Sequence, residues 1–377
     1  MTIKKSYSFS AIIVFSTLIA AIMFCNSAKS NPNIPVNKAT AFKRAQSLNN
    51  GISISWLEQT WTPDIIDSNG IKRKDMELLR KLGFTTIRLP VAFAYFNAQH
   101  VPLEKVLARI DAVMTECDKY GFKLIIDYHY GNLNDNNYEA ETQGVIKLWS
   151  ILARRYLNKS PDNLFFELYN EPPHMNPQVW HNTAYNIVAA IRKIDGQRTL
   201  LVGASNYNSI YELSRSVRLA DDNIIYTFHF YEPFLFTHQG AAWVGDQEST
   251  TGVEFPYNGE HYPKLNPKAK NTPGESNYNE YPIDGNERSI KDKLLIVKNW
   301  GTQYDVPIIC GEYGVYNKYA DQDSRCRYIK AVRETLKALN IPGILWDYNT
   351  SFSIFNGSPS LKNLPDCMKS AIGYTAK

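Results

Sequence analysis

The feature that most constrains the fold of this chain is an alternation of short apolar runs with longer amphipathic segments. Segments with a helical spacing of apolar residues lie between the runs, and several of them end at Gly or Asn. A doubly wound sheet is one alternative, but no Gly-rich phosphate loop follows the first run. Eight strand-then-helix units predict an α/β fold, a (β/α)8 TIM barrel in a single domain. The runs cover residues 51–56, 85–91, 123–130, 164–171, 199–205, 224–233, 306–314 and 342–349.

The N-terminal segment has the pattern of an export signal. Lys4 and Lys5 precede an apolar stretch, and the small residues Ser27 and Ala28 offer a cleavage site. We therefore interpret residues 1–28 as a signal peptide, which predicts a secreted or periplasmic protein. An uncleaved membrane anchor is the alternative, but the apolar stretch is short for a helix that spans a bilayer.

The rest of the chain is predicted to consist of a linker and one folded domain. Polar residues dominate the start of segment 29–47, which we interpret as the linker, and residues 48–377 form the domain. A connection at about 234–289 is rich in Gly, Pro, Asn and Tyr and shows little helical spacing. It far exceeds the usual connection of about 4–6 residues, so we expect this insert to have a function.

The charge balance and the cysteine content bear on the partners and the disulfide bonds that the chain could have. With 41 basic and 37 acidic residues and no long basic run, the sequence gives no argument for a nucleic-acid partner. After removal of residues 1–28 four cysteines remain, which permit two disulfides, one or none. These are Cys117, Cys310, Cys326 and Cys367, of which Cys310 lies in an apolar run and is expected to be a buried thiol.

Polar, titratable or aromatic residues stand at or near the ends of most of the predicted strands. The carboxyl ends of all barrel strands surround one mouth, where barrel enzymes carry out their reactions. We therefore expect these side chains to share a site. They are Arg88 in the second run, His129 in the third, Asn170 and Glu171 in the fourth, His229 and Tyr231 in the sixth, Glu312 in the seventh and Trp346 in the eighth.

Two carboxylates in this group suggest a specific chemistry. Glu171 is followed by Pro172 and Pro173, which prevent the strand from continuing and hold the carboxylate at its end. Glu312 lies near the end of the seventh run, on the opposite side of a barrel. Paired carboxylates suit glycoside hydrolysis, in which one protonates the leaving oxygen while the other attacks or supports the anomeric carbon.

The motifs around these residues resemble glycoside hydrolase family 5, the cellulase family. The segments "LYNEPP", "IICGEYG", "TTIRLPV", "IIDYHY", "FHFYEP", "FTHQGAAW" and "GILWDYN" carry the resemblance, which extends over most of residues 48–360. It implies that Glu171 is the general acid/base and Glu312 the nucleophile, with no metal or organic cofactor. It also implies that Arg88 and Tyr231 hydrogen-bond Glu312, Asn170 holds the 2-hydroxyl of the sugar, His129 and His229 line the site, and Trp346 forms its floor.

The two catalytic carboxyls need different protonation states. We expect the positive charge of Arg88 to lower the pKa of Glu312 and the negative charge of Glu312 to raise the pKa of Glu171. One carboxyl would then remain ionised for attack while the other remains protonated as an acid.

The resemblance favours a retaining, endo-acting β-glycanase, most similar to an endo-β-1,4-glucanase. Mannan, xyloglucan, xylan and β-1,3-glucan are alternative substrates, because loops rather than the carboxylates select the linkage. Trp56, Trp61 and Trp243 either form outer sugar subsites or pack in the core, and the role of Glu58 stays open. We expect a monomer that acts on polysaccharide or oligosaccharide, with no stable membrane association after signal cleavage.

Two rival functions remain. A metal-dependent barrel hydrolase could use His129, His229, Glu171 and Glu312 as ligands. Glu171 and His174 have a suitable spacing, but the two intervening prolines deny the helical turn that would place them on one face. The other rival is a carbohydrate-binding barrel without catalysis, which would have no need for both carboxylates.

Overall fold

The computed structural model describes residues 37–58 and 73–375, and within them the eight strands form a closed parallel barrel in sequence order. Each predicted run contains one strand, so the predicted (β/α)8 barrel is confirmed. The predicted signal peptide and Trp61 lie outside the described residues. The strands are β1 Gly51–Ser53, β2 Thr86–Val91, β3 Lys123–Tyr128, β4 Leu164–Glu167, β5 Leu200–Val202, β6 Ile224–His229, β7 Ile308–Tyr313 and β8 Gly343–Leu345.

Amphipathic helices follow the strands along the chain. Sequence signals mark their ends: Asn176 accepts a hydrogen bond from the backbone of Gln178 at the start of one helix, and Gly121 ends another with a φ of 69°. The helices are α1 Lys38–Ser47, α2 Arg73–Lys81, α3 Phe93–Ala98, α4 Leu103–Tyr120, α5 Tyr138–Arg155, α6 Pro177–Arg192, α7 Ile210–Arg215, α8 Phe234–Thr237, α9 Pro273–Asp284, α10 Glu287–Gln303, α11 Gln322–Ala338 and α12 Asp366–Ala371.

The predicted linker boundary requires a correction, because residues 38–47 form helix α1. Asn37 caps this helix by accepting a hydrogen bond from the backbone of Thr40 at 3.0 Å. Small apolar side chains spaced four residues apart bury one face of the helix, and they were too few to stand out in a polar segment. Ala45 and the adjacent Leu48 pack against buried residues of six strands, namely Ile125, Phe165, Leu201, Ile225, Ile309 and Ile344.

The insert at 234–289 is part of the packed structure. It contains α8, α9 and the 3₁₀ turns Ala242–Val244, Asp246–Glu248 and Pro267–Ala269, so the expectation of little helix is wrong for α9. Phe255 is fully buried, and its ring lies 5.5 Å from that of Phe236 and 5.4 Å from that of Tyr328 in α11. Aromatic packing therefore fastens the insert to the barrel's outer layer.

One disulfide is present among the described cysteines. Cys326 of α11 is bonded to Cys367 of α12, while Cys117 and Cys310 are buried free thiols. The bond closes a loop between residues 41 positions apart and thereby restricts the unfolded chain. In the described parts of the chain, no helix has both the length and the apolar character needed to cross a membrane.

Candidate active site

Arg88 lies at the centre of a buried hydrogen-bond network. Its guanidinium donates to both carboxylate oxygens of Glu167, at 2.7 and 2.9 Å. It also donates to Oε1 of Glu312 at 2.6 Å and to Oδ1 of Asn170 at 2.7 Å, and it lies 3.0 Å from Asp127. Because a buried guanidinium is stable only when its donors are paired, this network fixes the positions of all its partners.

Asp127 and Glu167 are site residues that the motif reasoning missed. Both are fully buried and lie inside the apolar runs of β3 and β4, where they are neighbours in the strand register. A signal for them was present, because a charged residue within a buried strand needs a partner of opposite charge. Arg88 in the adjacent strand β2 is that partner.

Glu312 accepts hydrogen bonds at both of its carboxylate oxygens. Arg88 donates to Oε1, and the Tyr231 hydroxyl donates to Oε2 at 2.8 Å. The predicted direction of the pKa shift is corrected: burial raises the pKa of Glu312, and the neighbouring His229 and Arg88 oppose that rise. The two donors nevertheless stabilise the ionised form, which is the form that a nucleophile requires.

Glu171 lies beside His229, at the edge of the cleft. Nδ1 of His229 is 2.7 Å from Oε1 of Glu171 and 3.4 Å from Oε2 of Glu312. Burial is the largest influence on the pKa of Glu171 and raises it to about 7. The neighbouring His129 and Arg88 oppose this rise but do not cancel it. The predicted direction holds, but the main cause is desolvation rather than the charge of Glu312. Its side chain is 33% exposed, so a substrate that excludes water would raise the pKa further.

The two carboxyl groups are close together. A carboxylate oxygen of Glu171, one of Glu312 and a ring nitrogen of His229 lie within 4.8 Å of one another. Retaining glycosidases separate their carboxyl groups by about 5–5.5 Å and inverting ones by about 6.5–9.5 Å. The spacing is therefore shorter than that of inverting enzymes and suits direct attack by one carboxylate.

The same three side chains could be considered as metal ligands. Their hydrogen-bonding atoms are already engaged, because Glu312 accepts from Arg88 and Tyr231 while Nδ1 of His229 bonds to Glu171. A guanidinium next to Glu312 also supplies the positive charge that a metal ion would bring. The chemistry of this donor set therefore fits a carboxyl pair better than a metal centre.

His129 and Trp346 form a stacked pair in the lining of the cleft. Nδ1 of His129 is 2.7 Å from Asp127, and the two rings lie 5.6 Å apart with an angle of 6° between their planes. Burial raises the pKa of Asp127 to about 7 and lowers the pKa of His129. The pair orients the flat indole of Trp346, which lines the cleft.

The cleft that contains these groups has a volume of about 800 Å³. Glu58 is buried in its wall and accepts a hydrogen bond from the hydroxyl of Tyr130, a residue that the motif reasoning did not select. The cleft thus offers polar groups and aromatic faces together, as carbohydrate sites do. Its lining includes Glu58, Tyr95, His129, Tyr130, Asn132, Asn170, Glu171, Tyr231, His238, Trp243, Glu312, Trp346 and Phe352.

The three tryptophans considered for outer subsites differ in position. Trp243 belongs to the insert, lines the cleft and is 58% exposed, with its ring edge-on to Tyr316 at 4.8 Å. Trp56 is 7% exposed within the hydrophobic core, so of the two alternatives left open for it the structure favours packing over an outer subsite. Trp61 lies in the segment that the structure does not describe.

Comparison with known proteins places these features in context. The family model described as Cellulase (glycosyl hydrolase family 5) matches residues 44–352. Endoglucanase C of Acetivibrio thermocellus is 31% identical over 306 residues, which cover 76% of this chain and 86% of that protein. Endoglucanase 3 of Fibrobacter succinogenes is 29% identical over 357 residues and 88% of this chain. The match spans only 54% of the length of that second relative.

The solved structures include proteins with the same fold. A crystal structure of an endoglucanase from Thermotoga maritima matches with a TM-score of 0.71 and 24% sequence identity. The match covers 89% of this chain and the whole of that one, at 100%. At this identity the structural similarity establishes the fold alone.

Proposed function

Because the chain belongs to the cellulase family, glycosyl hydrolase family 5, and is a glycoside hydrolase, we propose that it is a retaining endo-β-1,4-glucanase. The observation that carries this proposal is the close approach of Glu171 and Glu312 in different environments. Glu312 accepts two hydrogen bonds that stabilise its charge, whereas desolvation raises the pKa of Glu171 to about 7. The first arrangement suits a nucleophile and the second an acid.

In the first step, Glu171 protonates the glycosidic oxygen while Glu312 attacks the anomeric carbon. A bond forms between a carboxylate oxygen of Glu312 and that carbon, and the bond from the carbon to the leaving oxygen breaks. The leaving oxygen keeps the electron pair and takes the proton of Glu171. The products are a glycosyl ester of Glu312 and a shortened chain with a free hydroxyl.

In the second step, water replaces the ester. Glu171, now ionised, takes a proton from the water as its oxygen attacks the anomeric carbon, and Glu312 leaves as a carboxylate. Two inversions restore the original configuration at that carbon. Both carboxyl groups also return to their starting protonation states.

The neighbouring residues have supporting roles in this proposal. Arg88 and Tyr231 hold Glu312 in position and stabilise the charge that returns to it in the second step. Oδ1 of Asn170 is engaged by Arg88, so its amide N–H groups remain for the 2-hydroxyl of the sugar. Trp346 presents its ring to the apolar face of the sugar at the cleavage point.

The assignment of substrate rests on the relatives and on the insert. Both relatives described above are named endoglucanases. The insert places Trp243 at the cleft, where its exposed ring suits stacking against a glucan unit beyond the cleavage point. Mannan, xyloglucan, xylan and β-1,3-glucan use the same carboxyl chemistry and therefore belong in the same test.

The test is hydrolysis of a panel of polysaccharides by the mature protein, with Glu312→Gln as control. The panel contains carboxymethyl cellulose, mixed-linkage β-glucan, xyloglucan, glucomannan, galactomannan, xylan and laminarin. We expect rapid release of oligosaccharides from the β-1,4-glucans and none from the control. A faster release from galactomannan or laminarin would overturn the substrate, and binding without turnover of any polymer would overturn the catalytic function.

A second experiment separates the roles of the two carboxyls. Glu171→Ala should retain glycosylation of aryl cellobiosides whose leaving group needs no proton, while Glu312→Gln should lose it. Equal losses in both variants on activated and unactivated substrates would contradict the assignment.

Export is also part of the proposal, because the site would act on polymers found outside the cell. The support for it is the signal pattern of residues 1–28. N-terminal sequencing of protein recovered from periplasm and culture medium tests it, and protein that keeps its first residues would contradict cleavage.

A further inference from the structure

The turn after β5 has an uncommon backbone. Asn206, Tyr207 and Asn208 have φ angles of 57°, 61° and 56°, which is the left-handed region that side chains disfavour. Such a run persists only where surrounding contacts fix it, and runs of this kind cluster at functional sites. Here the backbone N–H groups of Asn206 and Tyr207 donate to the carbonyls of Pro173 and Pro172, at 3.0 and 2.8 Å. The turn is therefore fastened to the segment that carries Glu171.

The third residue of this turn extends into the active site. Asn208 is fully buried, and its Nδ2 donates to the backbone carbonyl of Asn170. The same Nδ2 lies 3.3 Å from Nε2 of His229. A Cβ at Gly203 would lie only 1.8 Å from Oδ1 of Asn208, so the glycine leaves the space that the amide occupies.

The carbonyl of Asn170 determines which way the amide of Asn208 points. A carbonyl oxygen can only accept a hydrogen bond, so the amide nitrogen must face it and the amide oxygen must not. That nitrogen also faces Nε2 of His229, and it has only hydrogen atoms to offer. Nε2 must therefore be the unprotonated nitrogen of the ring.

The proton of a neutral His229 is consequently on Nδ1. This nitrogen lies 2.7 Å from Oε1 of Glu171, so His229 donates a hydrogen bond to the catalytic acid. In the other tautomer Nδ1 would accept, and the proton of Glu171 would point at the imidazole. The proton would then be held away from the glycosidic oxygen that needs it.

We propose that Asn208 is a positioning residue that fixes the tautomer of His229, so that Glu171 delivers its proton to the leaving group. The inference rests on the proposed function for its catalytic consequence, but the tautomer itself is a property of the protein without substrate. Asn208 does not contact the reacting atoms and acts through His229.

The surroundings of the imidazole agree with a single ring proton. Burial lowers the pKa of His229 to about 4, so the ring is neutral over the range in which glycosidases work. The charged and titratable groups around it act in both directions, since carboxylates favour protonation and cations oppose it. They are Glu171, Glu312, Glu167, Arg88 and His129.

The direct test is nitrogen NMR of the mature protein with nitrogen-labelled histidine rings. The chemical shifts of the two ring nitrogens distinguish the two tautomers. His229→Gln identifies the resonances. We expect a protonated Nδ1 and an unprotonated Nε2 in the wild type. Asn208→Asp places an acceptor against Nε2, so we expect that nitrogen to become protonated.

The matched control is Asn206→Asp, which adds the same charge to the same turn without facing the imidazole. We expect it to keep the wild-type tautomer. Gly203→Ala provides a second route, because its methyl group displaces the Asn208 amide without altering it chemically. We expect mixed tautomers there, with circular dichroism used to verify folding.

Kinetics on two substrates distinguish a positioning role of Asn208 from a purely structural one, because a structural role would affect both substrates equally. General acid catalysis contributes roughly 10²- to 10⁴-fold, so in Asn208→Asp kcat/KM for phenyl cellobioside should fall by about tenfold or more. For 2,4-dinitrophenyl cellobioside, which needs little acid assistance, the fall should be within about twofold. Equal falls for the two substrates would indicate a structural role alone.

The two proposals fail in different ways. A protonated Nε2 in the wild type, or an unchanged tautomer in Asn208→Asp, would overturn the role of Asn208 even if the enzyme degrades glucan. A wild-type protein with the expected tautomer but no activity on any substrate would overturn the proposed function instead.

Discussion

The barrel mouth and the insert both bury polar groups, but different interactions hold the two regions together. In the mouth, Arg88 bonds to Glu167 and Glu312 at distances of 2.6 to 2.9 Å, so each buried charge has a charged partner. In the insert, aromatic rings provide much of the packing, as in the stacked pair Tyr262 and Tyr278 with 4.6 Å between ring centroids. The mouth holds reactive groups, whereas the insert builds a shape around them.

Two buried carboxyls make the comparison concrete. Glu312 in the mouth receives hydrogen bonds from Arg88 and Tyr231, which stabilise its charge. Burial raises the pKa of Glu248 in the insert to about 8. Burial alone therefore makes a carboxyl neutral, and the donors of the mouth are needed to make one a nucleophile.

The largest expected effect comes from replacing the two carboxyls in turn. Glu312→Gln removes the nucleophile and should lower kcat on β-glucan by about 10³-fold or more. Glu248→Gln replaces a neutral buried acid by a neutral amide of the same shape, so kcat should stay within about twofold of the wild type. Reducing-sugar release at pH 6 measures both, and a comparable loss in the two variants would break the comparison.

Removing the central cation of the mouth should have the next largest effect. Arg88→Met leaves Glu167 and Asp127 buried without their cation, and the free energy of unfolding should fall by about 3–5 kcal/mol. Arg88→Lys keeps the charge but loses the two-pronged contact to Glu167, so its loss should be smaller. Urea unfolding followed by circular dichroism measures both, and unchanged stability in Arg88→Met would contradict this account.

The pH dependence of the mouth gives the third prediction. Glu171 must be protonated to act as an acid, and burial raises its pKa to about 7. The value of kcat/KM for phenyl cellobioside should therefore fall about tenfold per pH unit above that pKa. Glu248→Gln should leave this alkaline fall in kcat/KM unchanged, because the carboxyl of Glu248 is in the insert. If kcat/KM instead began to fall near pH 4, desolvation would not be what sets the pKa of Glu171.

The smallest expected effect concerns the contribution of the insert to binding. Trp243 is 58% exposed, so Trp243→Ala should raise KM for cellohexaose by about tenfold, through lost stacking, with little loss of stability. Phe255→Ala, from the buried side of the same insert, should instead destabilise the fold by about 3–5 kcal/mol. Steady-state kinetics and thermal unfolding of both variants would separate a binding surface from a packing surface.

Much of the fold could be predicted because its pattern is local. The eight apolar runs alternate with helical segments, and each contains the strand expected of it. Helix α1 was not predicted, since its buried face consists of small side chains within a polar segment, and its contacts lie in strands far along the chain. Short-range spacing indicates the type of an element but not the surface against which it packs.

The candidate site shows the same division. Polar residues at strand ends could be selected from the sequence, because a barrel brings those ends to one mouth. Trp56 and Trp243 could not be separated, because the first packs in the core and the second lines the cleft only through distant contacts. The cause of the raised pKa of Glu171 was also misjudged, since desolvation depends on the whole surroundings of a group.

The sequence alone determined the barrel, the mouth and the identity of the two carboxyls, since each follows from periodicity and from residues beside a strand end. Only the tertiary structure decided that Arg88 bonds to Glu167, that Asn208 faces His229 and that the insert brings Trp243 to the cleft. Such contacts join residues from different strands and loops. Their distances depend on how the barrel closes and how the turns are packed, which no local pattern encodes.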